Sequence, residues 1–177
     1  MIPLTAMSAS KSSSSLWTSV LAAAVASAVV AALMVFTTGI PVVPALFGLL
    51  IGAAPIVGYD LTRGALGSNW RPVIAGVIGN ILFVVAIFLP AESFGIVAAA
   101  VALLSTLILW PIVVGAMSSS HSIGKLWIAS ILGLIIGLLV VSLVAGQDPN
   151  SWLKTAGILF FAFWGGTVGA ALSSWSK

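Results

Sequence analysis

The stretch LWIASILGLIIGLLVVSLVAGQ, Leu126 to Gln147, carries no charged side chain from one end to the other. A helix at a water interface keeps one polar face, and a half-buried strand alternates. This run does neither, which suits a rod surrounded by hydrocarbon. A helix needs about 20 such residues to cross a bilayer. Four more charge-free stretches accompany it: Ser12 to Tyr59, Pro72 to Ala91, Ser93 to Gly124 and Thr155 to Ser176. Six Lys and Arg and three Asp and Glu in 177 residues fall only at the ends of these runs or between them. With 61% hydrophobic residues and a mean hydropathy of +1.29, the chain reads as an all-α, polytopic membrane protein.

The first stretch is too long for one helix and is interrupted by Thr37-Thr38-Gly39 with Pro41 and Pro44, a turn-forming cluster. Two spans result, over Leu16 to Phe36 and Val42 to Tyr59. The others are expected at Trp70 to Leu89, Phe94 to Met117, Ser122 to Ala145 and Trp152 to Ser174. Six spans form one compact bundle over residues 16–177, preceded by a Ser-rich tail, Met1 to Ser15. The apolar run after Lys11 is longer than a secretory signal core, so the first span is expected to stay attached despite A-x-A sites around Ala26 and Ala28.

Positive side chains are retained on the cytoplasmic side during insertion. A cytoplasmic N-terminus places Lys11, Arg63, Arg71, Lys125 and Lys177 inside and only Lys154 outside, so both termini are expected in the cytoplasm. Trp17, Tyr59, Trp70, Trp127 and Trp175 then lie at the cytoplasmic interface, and Trp152 marks the opposite one. Arg63 and Arg71, beside Trp70, suit anionic lipid headgroups. The excess positive charge is accounted for by topology, so no nucleic-acid partner is expected. The lack of cysteine and the short charged loops fit a bacterial cytoplasmic membrane.

Helices one, three and five share an early Trp, and alignment on Trp17, Trp70 and Trp127 superposes Ala23, Gly76 and Gly133, then Ser27, Asn80 and Gly137. The even helices are alike around Ala54-Pro55, Trp110-Pro111 and Trp164-Gly165. Three tandem hairpins explain this pattern, and so does apolar composition with interfacial Trp. Small residues four apart let helix backbones approach in lipid, where dispersion and hydrogen bonds replace the hydrophobic drive. Gly48 with Gly52, Gly133 with Gly137, Gly165 with Gly169, Ala22 with Ala26, and Gly76 are therefore the expected packing positions.

Catalysis finds little footing. There is no cysteine, and the single histidine, His121, falls in a Ser-rich turn. The acids Asp60, Glu92 and Asp148 all lie at run ends, which argues against a proton-driven carrier. No enzyme activity, metal or cofactor is expected. Asn80 is the most polar side chain near mid-span, so it either bridges helices or faces a ligand. Trp110 and Trp164 lie away from the interfacial belt, and Pro55 and Pro111 fall inside helices, where they break backbone bonds. These five residues form the candidate ligand site.

In its size, six spans, cytoplasmic termini and the Ala22-x-x-x-Ala26 face, the chain resembles the substrate-binding subunits of energy-coupling-factor vitamin importers. That resemblance implies a non-catalytic membrane subunit and assigns no binding residue. Two functions follow as expectations. One is a small transport-type component, a permease or substrate-binding subunit for an uncharged or amphiphilic molecule. The alternative is an accessory or scaffold subunit, associating with other membrane subunits or with itself through small-residue faces.

Overall fold

The computed structural model describes residues 4–37, 42–63, 70–88, 97, 100–117, 122–144 and 149–174, with side chains before Leu16 and in 149–154 outside that description. Among the described residues the fold is helical and contains no strand. The helices are α1 (Leu4–Phe36), α2 (Val42–Arg63), α3 (Arg71–Gly79), α4 (Ile81–Phe88), α5 (Ala100–Met117), α6 (Ile123–Val144) and α7 (Pro149–Ser173). Five of the segments are long and apolar enough to cross a membrane: Leu16–Phe36 within α1, α2, α5, Ile123–Leu143 within α6, and Thr155–Ser173 within α7. The protein thus has the make-up of an integral, multi-pass membrane protein.

The third apolar stretch differs from the expected unbroken helix. It is split at Asn80 into pieces of nine and eight residues. Asn80 has φ −100° and ψ 11°, outside the helical region. Glycine and asparagine both favour non-helical backbone, glycine through entropy and asparagine through competing local bonds, and Gly79-Asn80 places them together. At the other end of α1 the helix runs on through the Ser-rich segment and starts at Leu4.

Neighbours around the bundle follow chain order, α1 beside α2, α2 beside α3, α3 beside α5, α5 beside α6, and α6 beside α7, which returns to α1. Helices α2 and α7 also touch across the middle. The crossings are made by residues without side-chain bulk. A Cβ on Gly58 would sit 2.5 Å from the carbonyl oxygen of Ala22, and one on Gly169 would sit 2.6 Å from the Cβ of Ala23. The hydroxyls of Ser19 on α1 and Thr62 on α2 meet at 3.0 Å.

These contacts fix which helix ends lie together. Ser19 and Thr62 join the start of the apolar part of α1 to the end of α2, Gly169 of α7 lies against Ser19, and Gly115 of α5 lies against Ile123 of α6. Arg63 and Lys125 therefore occupy the same end of the bundle, and Arg71 joins them because α3 runs antiparallel to α2. Arg63 stands over the Tyr59 ring, 5.3 Å from its centroid. Trp17, Trp70 and Trp127 are exposed at this end, at 65%, 52% and 46%, as amphipathic rings in a headgroup layer would be. Trp152 and Trp175 fall outside the described side chains.

Candidate functional site

Three irregularities lie in the buried parts of α2, α3–α4 and α5, and side chains from α5 donate to backbone carbonyls beside the first two. The first is Pro55 in α2, which has no N–H to offer Ile51 and crowds the preceding turn. One residue beyond Ile51, the Gly52 carbonyl accepts a bond from the indole Nε1 of Trp110 at 2.7 Å. The second is the break at Asn80. The amide of Phe83 turns back to the Asn80 carbonyl at 3.1 Å, so the usual i→i−4 bond to Gly79 is missing. The Ser105 hydroxyl of α5 donates to that Gly79 carbonyl at 3.2 Å.

The third break is in α5 itself. Pro111 cannot donate to Leu107, and just before it Ser105–Leu109 forms a π turn in which the Trp110 amide reaches Ser105. The wider turn places Ser105 and Trp110 towards α3 and α2. Thr106 is anchored to its own helix by a 3.1 Å bond to Ala102.

Asn80 is fully buried and donates its Nδ2 to the Gly48 carbonyl of α2 at 2.6 Å. This approach requires glycine opposite. A Cβ on Gly52 would fall 2.8 Å from the Asn80 Cβ and closer still to the Gly76 carbonyl, and one on Gly76 would meet Gly52 in return. On the far side the rings of Trp110 and Trp164 meet edge to face, centroids 5.1 Å apart at 71°. Phe161 continues the series 6.2 Å from Trp164, and Phe83 of α4 closes it 5.7 Å from Phe161. Edge-to-face pairs of this kind add roughly 0.5–1.5 kcal/mol each beyond their buried area. Glycines seat both tryptophans, since Gly79 lies against the Trp110 backbone and Gly133 against that of Trp164.

The five residues singled out in the sequence, Asn80, Trp110, Trp164, Pro55 and Pro111, are each less than 2% exposed. Ring contact joins Trp110 to Trp164, and Gly52, which accepts from Trp110, lies against Asn80. Among the packing positions, Gly48 and Gly52 face α3 at Asn80 and Gly76. Gly133 and Gly137 face α7 at Trp164 and Phe160, and Gly165 and Gly169 face α1 at Ala23 and Ser27. Ala22 lies against Gly58 of α2, whereas Ala26 is half-buried. Ser105 and Gly79 were not foreseen as partners. The useful signals were Gly79-Asn80, which marks a helix break, and Pro111, which marks a register change in the turn before it.

Among the described residues four buried polar atoms have no hydrogen-bond partner: the Asn80 Oδ1, the Trp164 Nε1, and the hydroxyls of Ser27 and Ser130. Each such group costs about 1–3 kcal/mol when nothing answers it. Two of these belong to the residues singled out above, one an unused amide acceptor and the other an unused indole donor. Among the described residues no group of three His, Cys, Asp or Glu gathers there or elsewhere. An amide oxygen can accept and an indole N–H can donate a hydrogen bond, and neither carries charge. Such a pair supplies no general acid, base or nucleophile.

The site and fold define a helical, multi-pass membrane protein with a polar break at the heart of its bundle. No family model, curated protein or solved structure matches the chain. The likeness to vitamin-importer subunits accordingly rests on architecture and the Ala22-x-x-x-Ala26 face alone.

Proposed function

We propose that this protein is a non-catalytic, six-span component of a transport system that binds a neutral or amphiphilic small molecule at the interrupted third span. In this reading α3 and α4 together make the sixth crossing, since Arg71 to Phe88 at 1.5 Å per residue extends roughly 27 Å, close to the hydrocarbon thickness. The basic end faces the cytoplasm, with both termini on that side, and the membrane is a bacterial cytoplasmic one.

The supporting observation is the unpartnered Oδ1 of Asn80 at a helix break, against the same Gly52 that accepts from Trp110, whose ring neighbour Trp164 has its own unpartnered indole. Non-helical backbone at membrane depth is tolerated where protein or a cavity answers its polar groups, and discontinuous helices commonly place substrate sites near the bilayer midplane. No charge is present at the site to attract an ion, which favours an uncharged ligand.

Native mass spectrometry of the full-length protein, purified from its own membrane, tests this reading. A bound small molecule retained by the parent and lost in Asn80→Leu is the expected result. A ligand-free protein that unfolds identically with and without total membrane metabolite extract would overturn it. The accessory-subunit reading draws on a different observation, the helical continuation of α1 to Leu4, an arm of roughly 18 Å beyond the apolar run. Stoichiometric co-purification of other membrane subunits, lost when residues 1–12 are removed, is its signature.

A further inference from the structure

Helix α7 is recessed between α1 and α6, and its outer face forms the floor of a trough open to the surrounding lipid. One part, about 640 Å³, lies against α1 and is lined by Trp17, Leu21, Ala24 and Gly166, with almost no polar surface. The other, about 350 Å³, lies against α6 and includes Lys125. Thr167 and Ala170 line both, so the two are continuous. From Leu159 to Ser174 the floor extends roughly 22 Å at 1.5 Å per residue, close to one leaflet of hydrocarbon and part of its headgroup layer.

We propose that this trough holds one anionic phospholipid, with an acyl chain along the Gly166 floor and its headgroup at the basic end beside Lys125 and Trp17. Three observations select this occupant. The trough is apolar along its length and acquires a cation only at the end where Trp17 stands exposed at the expected headgroup level. Among the described residues that line the two parts there is a cation and no acid. The volume suits a hydrocarbon chain: a second helix, 10–12 Å across, would occupy roughly 1,700 Å³ or more over the same length. Position 166 leaves the floor without a side chain at this point. A Cβ there would meet nothing nearer than the Ala24 Cβ at 3.5 Å.

The experiment uses the full-length protein in nanodiscs of equal phosphatidylglycerol and phosphatidylcholine, released into native mass spectrometry, beside a photoactivatable acyl-chain lipid mapped by peptide sequencing. Parent protein is expected to retain one phosphatidylglycerol in preference to phosphatidylcholine, with cross-links on α7 between Leu159 and Ser174. Lys125→Gln should cut that preference about five-fold, the factor one basic side chain near a charged headgroup layer confers. Gly166→Leu should abolish retention of both lipids, with Gly157→Leu, outside both linings and with only the Val35 side chain within 4.0 Å, as control. Equal retention of the two lipids by the parent, cross-links spread evenly over α1 to α7, or a protein partner captured at α7 in place of lipid would each overturn the proposal. The mapping requires no variant, so a folding failure of Gly166→Leu leaves the test intact.

Discussion

Two helix crossings in this molecule use the same device to different ends. Where α1 crosses α7, Gly165 and Gly169 admit Ala23 and Ser27, and both helices continue without interruption. Where α2 crosses α3, Gly52 and Gly76 bring the backbones equally close, yet α3 ends three residues later and a network of side-chain donors takes over. In lipid a broken helix is expensive because no water reaches its open carbonyls. The α2–α3 crossing meets that cost with Trp110 and Ser105 from α5 and Asn80 from the break itself. The first crossing holds helices together, and the second also leaves an amide oxygen to spare. Close packing is common to both crossings; only the second surrounds a break in the helix.

Substitutions at the crossings should expose this difference most strongly. Gly52→Val drives a side chain into the Gly76 carbonyl and should cost about 3 kcal/mol or more, the upper range of overpacking, because backbone cannot yield as a side chain can. Loss of the monodisperse protein in detergent is the readout. Gly166→Ala, which meets only ordinary contacts, should leave the unfolding midpoint within about 0.5 kcal/mol of the parent.

Next come the donors. Asn80→Leu removes the bond to Gly48 and should lower stability by about 1–2 kcal/mol, partly offset by loss of the unpartnered Oδ1. Asn80→Asp should be worse than Asn80→Leu, since it loses the donor and adds a buried carboxyl. The two indoles give the sharpest contrast, because they are equally buried neighbours. Trp110→Phe and Trp164→Phe leave cavities of the same size, but only the first also deletes a bonded donor, to Gly52, so it should cost about 1 kcal/mol more than the second. Equal losses in chemical unfolding would mean that Trp164 has a partner as well. At the simpler crossing, Ser27→Ala removes an unanswered hydroxyl, and its effect should be the smallest, neutral or stabilising by up to about 0.5 kcal/mol.

Much of this arrangement was legible before any coordinates. Charge-free runs mark the apolar helices because lipid permits nothing else, and Asn80, Trp110, Trp164, Pro55 and Pro111 stood out as residues out of place in such runs. Which acceptors they would find was not legible. The Gly48, Gly52 and Gly79 carbonyls are backbone groups with no side-chain signature, and their identity depends on the register of each crossing. Hydropathy does not show the break at Asn80 or the π turn before Pro111, because an apolar stretch reads alike whether its ladder is continuous or split; only the Gly79-Asn80 pair and Pro111 point to them. The Ser105 role depends on both breaks at once, so it could not emerge from either position alone.

Everything assigned to the Asn80 site depends on the third stretch crossing the membrane, which places the break at mid-depth. The chain has no cysteine, so single cysteines introduced at Ser68 and Ser93 report without background. Labelled in intact cells and in inverted vesicles with a membrane-impermeant maleimide, Ser68→Cys should react only from the cytoplasmic face and Ser93→Cys only from the opposite face. Reaction of both from one face would make the segment re-entrant, reduce the crossings to five and remove Asn80 from the centre of the bilayer.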